Sequence, residues 1–390
     1  MRHIGGKMRE ASQFPRFSEA ELNSRHQRVK SLMSQHEVDA LLFFGAGQFS
    51  TDIYWLSDWP GGRENYILFE YDSDPIVIAQ LYNHIPMARV LSVIKDIRWA
   101  GANTAATVSG ILGERGLEGK RVGLIGGIPY RHYQRFTEEN PGVVLFDFSS
   151  PFRMMRTIKS DEEIARLKLA SQLTDKSMAS IQEGLKVGMR EDEIPYLIEP
   201  TYLKEGGTAG IHFMTAMSMD DPHFPVPAQF HSSRRLERRD CLITEISGGY
   251  WGFTGQIHRT YSFEEPTKEW RELHDVAVEG YMAIENVLRD GATTVDVEKA
   301  AEVIHERGYS IYDDLLHGVS QTPPIIQTAT TKRHESDAII FKENMVVTIQ
   351  PNVITKNEKM GLQFGETVVI TKEGCQSLNE FPREWLLCQG

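Results

Sequence analysis

The sequence predicts an α/β N-terminal domain over residues 1–155, followed by an α+β domain over residues 156–390. Three observations predict it. The chain has 390 residues, more than one hydrophobic core usually fills, since domains run to about 100–200 residues. From Phe17 to Phe148, apolar strand-like runs alternate with helical stretches, the pattern of helices layered on a sheet. Beyond Ser160 a long helix opens, and helices then mix with hairpin-like strands.

The elements follow in order. Ser18 and Glu21 have capping-box spacing at a helix start. "VDALLFF" reads as a buried strand, and "YILFEYDSDPIVIAQ" as a hairpin around Asp-Ser-Asp-Pro. "RVGLIGG" and "GVVLFDF" are further strands. "GLIGG" has neither GxGxxG spacing nor a P-loop lysine and reads as a plain strand-to-turn junction. Ser160 and Glu163 repeat the capping box, with Ile164, Leu167, Leu173 and Ile181 as the apolar stripe. Helices are predicted near 266–290 and 294–307, and strands near 241–247, 250–263, 346–351 and 366–371. "ITEISGGYWGFTGQIHRTYSF" reads as a hairpin turning at Gly248-Gly249. Strand periodicity puts Thr254, Gln256, His258 and Thr260 on one face of its second arm.

Composition narrows the function. A net charge of −12 argues against a nucleic-acid surface, which needs clustered Lys and Arg. Cys241, Cys375 and Cys388 form no CxxC pair and no disulfide framework, which fits a reducing cytoplasm. The first residues lack the apolar core of a signal peptide, and no apolar run reaches the length of a membrane span. The expectation is a cytoplasmic protein with a small-molecule substrate, no nucleic-acid partner and no membrane.

"RTIKSDEEIARLKLA", the "HRT" ending at Thr260, His317-Gly318, "NMVVTIQPNV" and "GETVVIT" occur in that order. In this the chain resembles the creatinase/prolidase family, whose second domain is the pita-bread fold of proline-specific and methionine aminopeptidases. The resemblance covers nearly the whole chain. It implies a creatinase/prolidase-like N-terminal domain before a pita-bread domain, and a homodimer. Active members hold two metal ions through Asp, Asp, His, Glu and Glu. Carried onto this chain, those positions fall on Glu245, Gln256, His317, Gln350 and Glu366. Four carboxylates offset the charge of two divalent ions, and here only Glu245 and Glu366 remain. An amide oxygen is a poorer ligand for a hard cation. No metal cofactor is therefore expected, with a single divalent ion on Glu245, His317 and Glu366 as the alternative.

Creatinase and ectoine hydrolase, which the chain is similar to in this respect, cleave a C–N bond without the dinuclear centre. His258 falls where creatinase carries one of its acid/base Glu residues. The resemblance implies catalytic roles for Glu245, His258, His317 and Glu366, since carboxylates and imidazoles are the usual acids and bases near neutral pH. Gln256 and Gln350 are the expected substrate-binding amides. The family also places a His upstream. Spacing puts that position near Ala228, and a short insertion brings in His212 or His223. In creatinase-like dimers an N-terminal loop reaches the neighbouring active site, and "SDWPGGRENY" lies at the comparable place, with Arg63 as a carboxylate fork and Trp59 as a wall. The leading expectation is a hydrolase of a small amide, amidine or lactam. An Xaa-Pro peptidase with one metal or an atypical pair, and a pseudo-peptidase that only binds a ligand, are the alternatives. "HGVSQTPPIIQ" lacks the His of the peptidases' HE-x-P segment, which counts against the former.

Overall fold

The structure is a computed structural model that describes residues 10–312, 314–319, 325–327 and 338–390, the side chains of 11, 51 and 325–327 aside. It divides into two compact units, Met1–Met155 and Arg156–Gly390.

The first unit is built on six strands: β1 (Ala40–Gly45), β2 (Asn65–Glu70), β3 (Ile76–Ala79), β4 (Asp96–Trp99), β5 (Arg121–Ile125) and β6 (Val144–Asp147). Their order is β4-β3-β2-β1-β5-β6. The predicted hairpin is present as the antiparallel pair β2–β3. The run "ALLFFG" has no polar face because β1 is covered on both sides. Leu41 and Phe43 belong to one core cluster, and Ala40, Leu42 and Phe44 to another. The helix Glu19–Gln35 starts where Ser18 Oγ accepts from the Glu21 N–H.

The second unit opens with the helix Asp161–Gly184. Its capping box is complete, and Leu167, Leu173 and Ile181 are buried. Its sheet contains β7 (Thr208–Ser218), β8 (Asp240–Tyr250), β9 (Phe253–Ser262), β11 (Asp314–Gly318), β12 (Ile325–Gln327), β13 (Val346–Ile349) and β16 (Gly365–Ile370), in the order β12-β11-β13-β16-β9-β8-β7. The short strands β10 (Ser310–Ile311), β14 (Asn352–Ile354) and β15 (Gly361–Gln363) form a separate sheet, β10-β14-β15. The helix Lys268–Val287 buries Trp270, Leu273, Tyr281 and Ile284, and Thr294–Glu306 starts at a second complete capping box. Among the described residues no helix is long and apolar enough to cross a membrane.

The hairpin β8–β9 turns three residues later than the sequence suggests. Gly248 pairs with Gly255 and Gly249 with Thr254 inside the ladder, which closes at Tyr250 and Phe253. The two-residue turn is Trp251-Gly252, at φ 46° and 80°. Positive φ at both positions matches the twist of the flanking strands. Gly248 is small for another reason: a Cβ there would stand 2.8 Å from Thr174 Oγ1 on the helix Asp161–Gly184.

Candidate active site

Strand register decides which predicted residues meet. Side chains of directly paired residues share a face of the sheet, and the face alternates along each strand. Glu245 pairs with His258 and Ser247 with Gln256. Gly365 pairs with His258. Glu245, Gln256, His258 and Gly365 therefore share one face. On the adjoining strands His317 pairs with Thr348, and Gln350 follows two residues later on that same side. The structure brings together Glu245, Gln256, His258, His317 and Gln350.

They are joined by hydrogen bonds. Gln256 Nε2 donates to Glu245 Oε1 at 2.7 Å and to Gln350 Oε1 at 3.0 Å. His317 Nε2 donates to the same Gln350 oxygen at 3.0 Å. The fully buried His258 places Nε2 at 3.3 Å from Gln256 Nε2 and 3.7 Å from Glu245 Oε2. Burial pushes the Glu245 carboxyl up. The hydrogen bond and charge of His258, the charge of His317 and the Gln363 amide outweigh it and hold the group below the ordinary carboxylate range. A cavity of 360 Å³ opens beside this set, lined by the polar Glu245, His317, Gln350 and Gln363 and by the apolar Phe213, Val226 and Pro227.

Glu366 is not part of it. It pairs with Ile257, so it faces the opposite side of the sheet, with Ile257 and Arg259. There it forms a buried ion pair with Arg259 and another with Arg383 at 2.8 Å, and accepts from Ser377 Oγ at 2.8 Å. Burial pushes its carboxyl up, and the two guanidinium groups more than reverse this. The residue of this strand that does face the site is Gly365. A Cβ there would stand 1.9 Å from Ile349 O, so backbone fills the space a side chain would need. The expected catalytic role of Glu366, and the single-ion set Glu245, His317 and Glu366, are corrected for this reason. A one-residue shift along a strand reverses the face.

The substrate-binding histidines are also displaced. His212 pairs with Ile246 on the reverse face and sits 3.1 Å from Tyr202 OH. Burial, then the nearby His231, lower its pKa to about 4. Its neighbour Phe213 pairs with Glu245 and reaches the cavity instead. His223 is exposed, with Nδ1 at 3.2 Å from Asp221 O, and does not line the cavity. Trp59 is no exposed wall. It is 4 % exposed inside the core of its own unit, donating from Nε1 to Asn65 Oδ1 at 3.0 Å. Arg63 is exposed beside it. The sequence reading missed Phe213, Gln229, Tyr312, Asp314 and Gln363, all of which line the cavity. Strand alternation from Glu245 across to β7 would have found Phe213. Nothing local marks the other four.

Residues 25–158 match the creatinase/prolidase N-terminal domain, and residues 165–372, over half of the chain, match metallopeptidase family M24. The Xaa-Pro dipeptidase of Pyrococcus horikoshii is 23% identical over 371 residues, covering 93% of this chain and 99% of that protein. That of Pyrococcus furiosus is 26% identical over 272 residues, 68% of this chain and 75% of its own. The crystal structure of the X-Pro aminopeptidase from Thermotoga maritima superposes with a TM-score of 0.80 at 20% identity, covering 93% of this chain and 99% of that one. Two expectations are overturned by these relatives. A small C–N hydrolase of the creatinase kind gives way to the Xaa-Pro peptidase alternative, and a cofactor-free site does not accord with relatives that are dipeptidases of a metallopeptidase family. The donor set of this chain nonetheless does not fit the family's metal pair. Two of the five positions are amides, the fifth faces the wrong side, and among the described residues no three His, Cys, Asp or Glu side chains are placed to hold an ion. With both domain models matched in order and the fold superposed, the chain belongs to metallopeptidase family M24, as a pita-bread domain behind a creatinase/prolidase N-terminal domain.

Proposed function

We propose that the protein hydrolyses small Xaa-Pro peptides at the cavity beside Glu245. The observation that carries this reading is the mixed polar and apolar lining of the cavity. Phe213, Val226 and Pro227 offer apolar surface for a pyrrolidine ring in the same cavity as Glu245, His317 and Gln350. The names of the relatives support the same substrate class. Peptide hydrolysis needs a base to take a proton from water and an acid to return one to the leaving nitrogen. Glu245, held ionised, is assigned the first role. His317, at the cavity wall, is assigned the second, and Gln350 fixes its ring through the 3.0 Å bond. His258, buried behind Gln256, orients the Glu245 carboxylate. No step is assigned to a metal, because the donors do not fit one.

Release of free proline from Ala-Pro, measured with and without added Mn²⁺, Co²⁺ or Zn²⁺, tests this. The expected result is turnover in the wild type and a loss of about 10²- to 10⁴-fold in Glu245→Gln. No proline release under any of these conditions overturns it.

A further inference from the structure

The strands that carry the site meet at a short junction. Among the described residues β9 and β16 pair directly at two positions, His258 with Gly365 and Ile257 with Glu366, whereas β8 and β9 pair at ten. Buried backbone N–H and C=O groups beyond the ends of a ladder still need partners. At each end of this one a side chain supplies them.

On one side the next pair in register would be Gln256 with Thr367. The hydroxyl of the buried Thr367 stands in for that pair. It accepts from the Gln256 N–H at 3.0 Å and donates to Gln256 O at 3.2 Å. The Thr367 N–H turns away from β9 and donates to Asn379 Oδ1 at 3.2 Å. On the other side the next pair would be Arg259 with Phe364. There the buried Arg259 guanidinium lies over the Phe364 ring, 4.6 Å from its centroid. Its Nη1 donates to His258 O at 2.9 Å and to Gly365 O at 3.1 Å, bridging the two strands. Nε donates to Pro382 O at 2.6 Å, and Nη2 to Phe381 O at 3.1 Å and to Glu366. All five guanidinium N–H groups are used. A lysine has three donors on one nitrogen and cannot span these acceptors.

We propose that Thr367 and Arg259 are positioning residues that set where Gln256 and His258 stand in the site, in place of the ladder that β9 and β16 lack. Thr367 holds the backbone of Gln256, whose side-chain amide meets Glu245 and Gln350. Arg259 holds the carbonyl of His258, whose Nε2 lies 3.3 Å from that same amide. Neither residue lines the cavity, so both act through the backbone of residues that form the site. Placement of the site stands apart from the identity of the substrate, and only the kinetic readout below rests on the peptidase reading.

The test compares wild type, Thr367→Val, Thr367→Ser, Arg259→Lys and Glu366→Gln. Glu366→Gln is the control, because it weakens the same buried cluster and leaves the carbonyl contacts of Arg259 in place. The first readout is the nitrogen NMR signal of the His258 ring in histidine-labelled protein, identified by its loss in His258→Gln. The expected result is a moved His258 signal in Thr367→Val and Arg259→Lys, the wild-type position in Thr367→Ser, and no movement in Glu366→Gln. A wild-type signal in Thr367→Val, or equal movement in Glu366→Gln, overturns the proposal. The second readout is turnover of Ala-Pro, with kcat expected to fall by about 10- to 100-fold in Thr367→Val at nearly constant KM, and Thr367→Ser to restore it. Unchanged kcat in Thr367→Val also overturns the proposal. If Arg259→Lys does not fold, the Thr367 pair carries the test. Absence of proline release by the wild type removes the peptidase reading, while the His258 signal still decides the positioning, so the two failures are distinct.

Discussion

Two glutamates at the second unit's sheet show how environment assigns a role to one residue type. Glu245 is held ionised by His258, His317 and Gln363 beside a cavity, where a substrate can reach it. Glu366 is held ionised by Arg259 and Arg383 between the sheet and its covering helices, where its neighbours are Ser377 and Tyr281. Removing one member of a buried ion pair leaves uncompensated charge and costs about 3–5 kcal/mol. Glu366→Gln is therefore expected to lower unfolding free energy by about that amount, measured by urea denaturation, while kcat per folded molecule stays within about twofold. A fall in kcat matching that of Glu245→Gln, with stability unchanged, would return Glu366 to the active site.

Elements position the site through register. The ladder β8–β9 carries Glu245, Gln256 and His258, and β11 brings in His317. The junction β13–β16 has no room for a side chain at Gly365, because Ile349 O occupies the position of its Cβ. Gly365→Ala must displace backbone that belongs to two strands. Its expected cost exceeds about 4 kcal/mol, in the range reserved for severe core disruption. Loss of soluble folded protein, or a melting temperature lowered by 10 °C or more, is the expected readout. A melting temperature within about 2 °C of wild type would show that the strands separate easily there. The same junction explains the motif reading. "GETVVIT" locates the strand in sequence and leaves its parity open by one residue.

For the whole molecule, pH is the sensitive variable. Burial, foremost, lowers the pKa of both His212 and His274 to about 4. His274 packs edge-on against Phe364 and Trp385. In the unfolded chain each titrates near ~6.5. Between these values the unfolded chain binds protons that the folded one does not, so stability falls as pH drops from about 6.5 to about 4 and is regained above it. Each histidine contributes on the order of 3 kcal/mol to that change. Urea midpoints at pH 7.0, 5.5 and 4.5 should decline accordingly, and His274→Phe should remove about half of the histidine share. An identical decline in His274→Phe would mean that His274 is protonated in the folded state.

The sequence by itself determined the two-domain order, the capped helices, the hairpin of the first unit and the grouping of Gln256 with His258, because caps and strand alternation are local and written in consecutive residues. It also placed Glu245, His317 and Gln350, whose motifs tolerate no shift once their strands are paired. The tertiary structure alone decided that Glu366 and His212 face away, that Gly248-Gly249 serves close packing rather than the turn, and that Gln363 and Asp314 enter the cavity. Face and cavity depend on the register between strands far apart in the chain, and a one-residue step reverses a side chain without changing the motif that contains it.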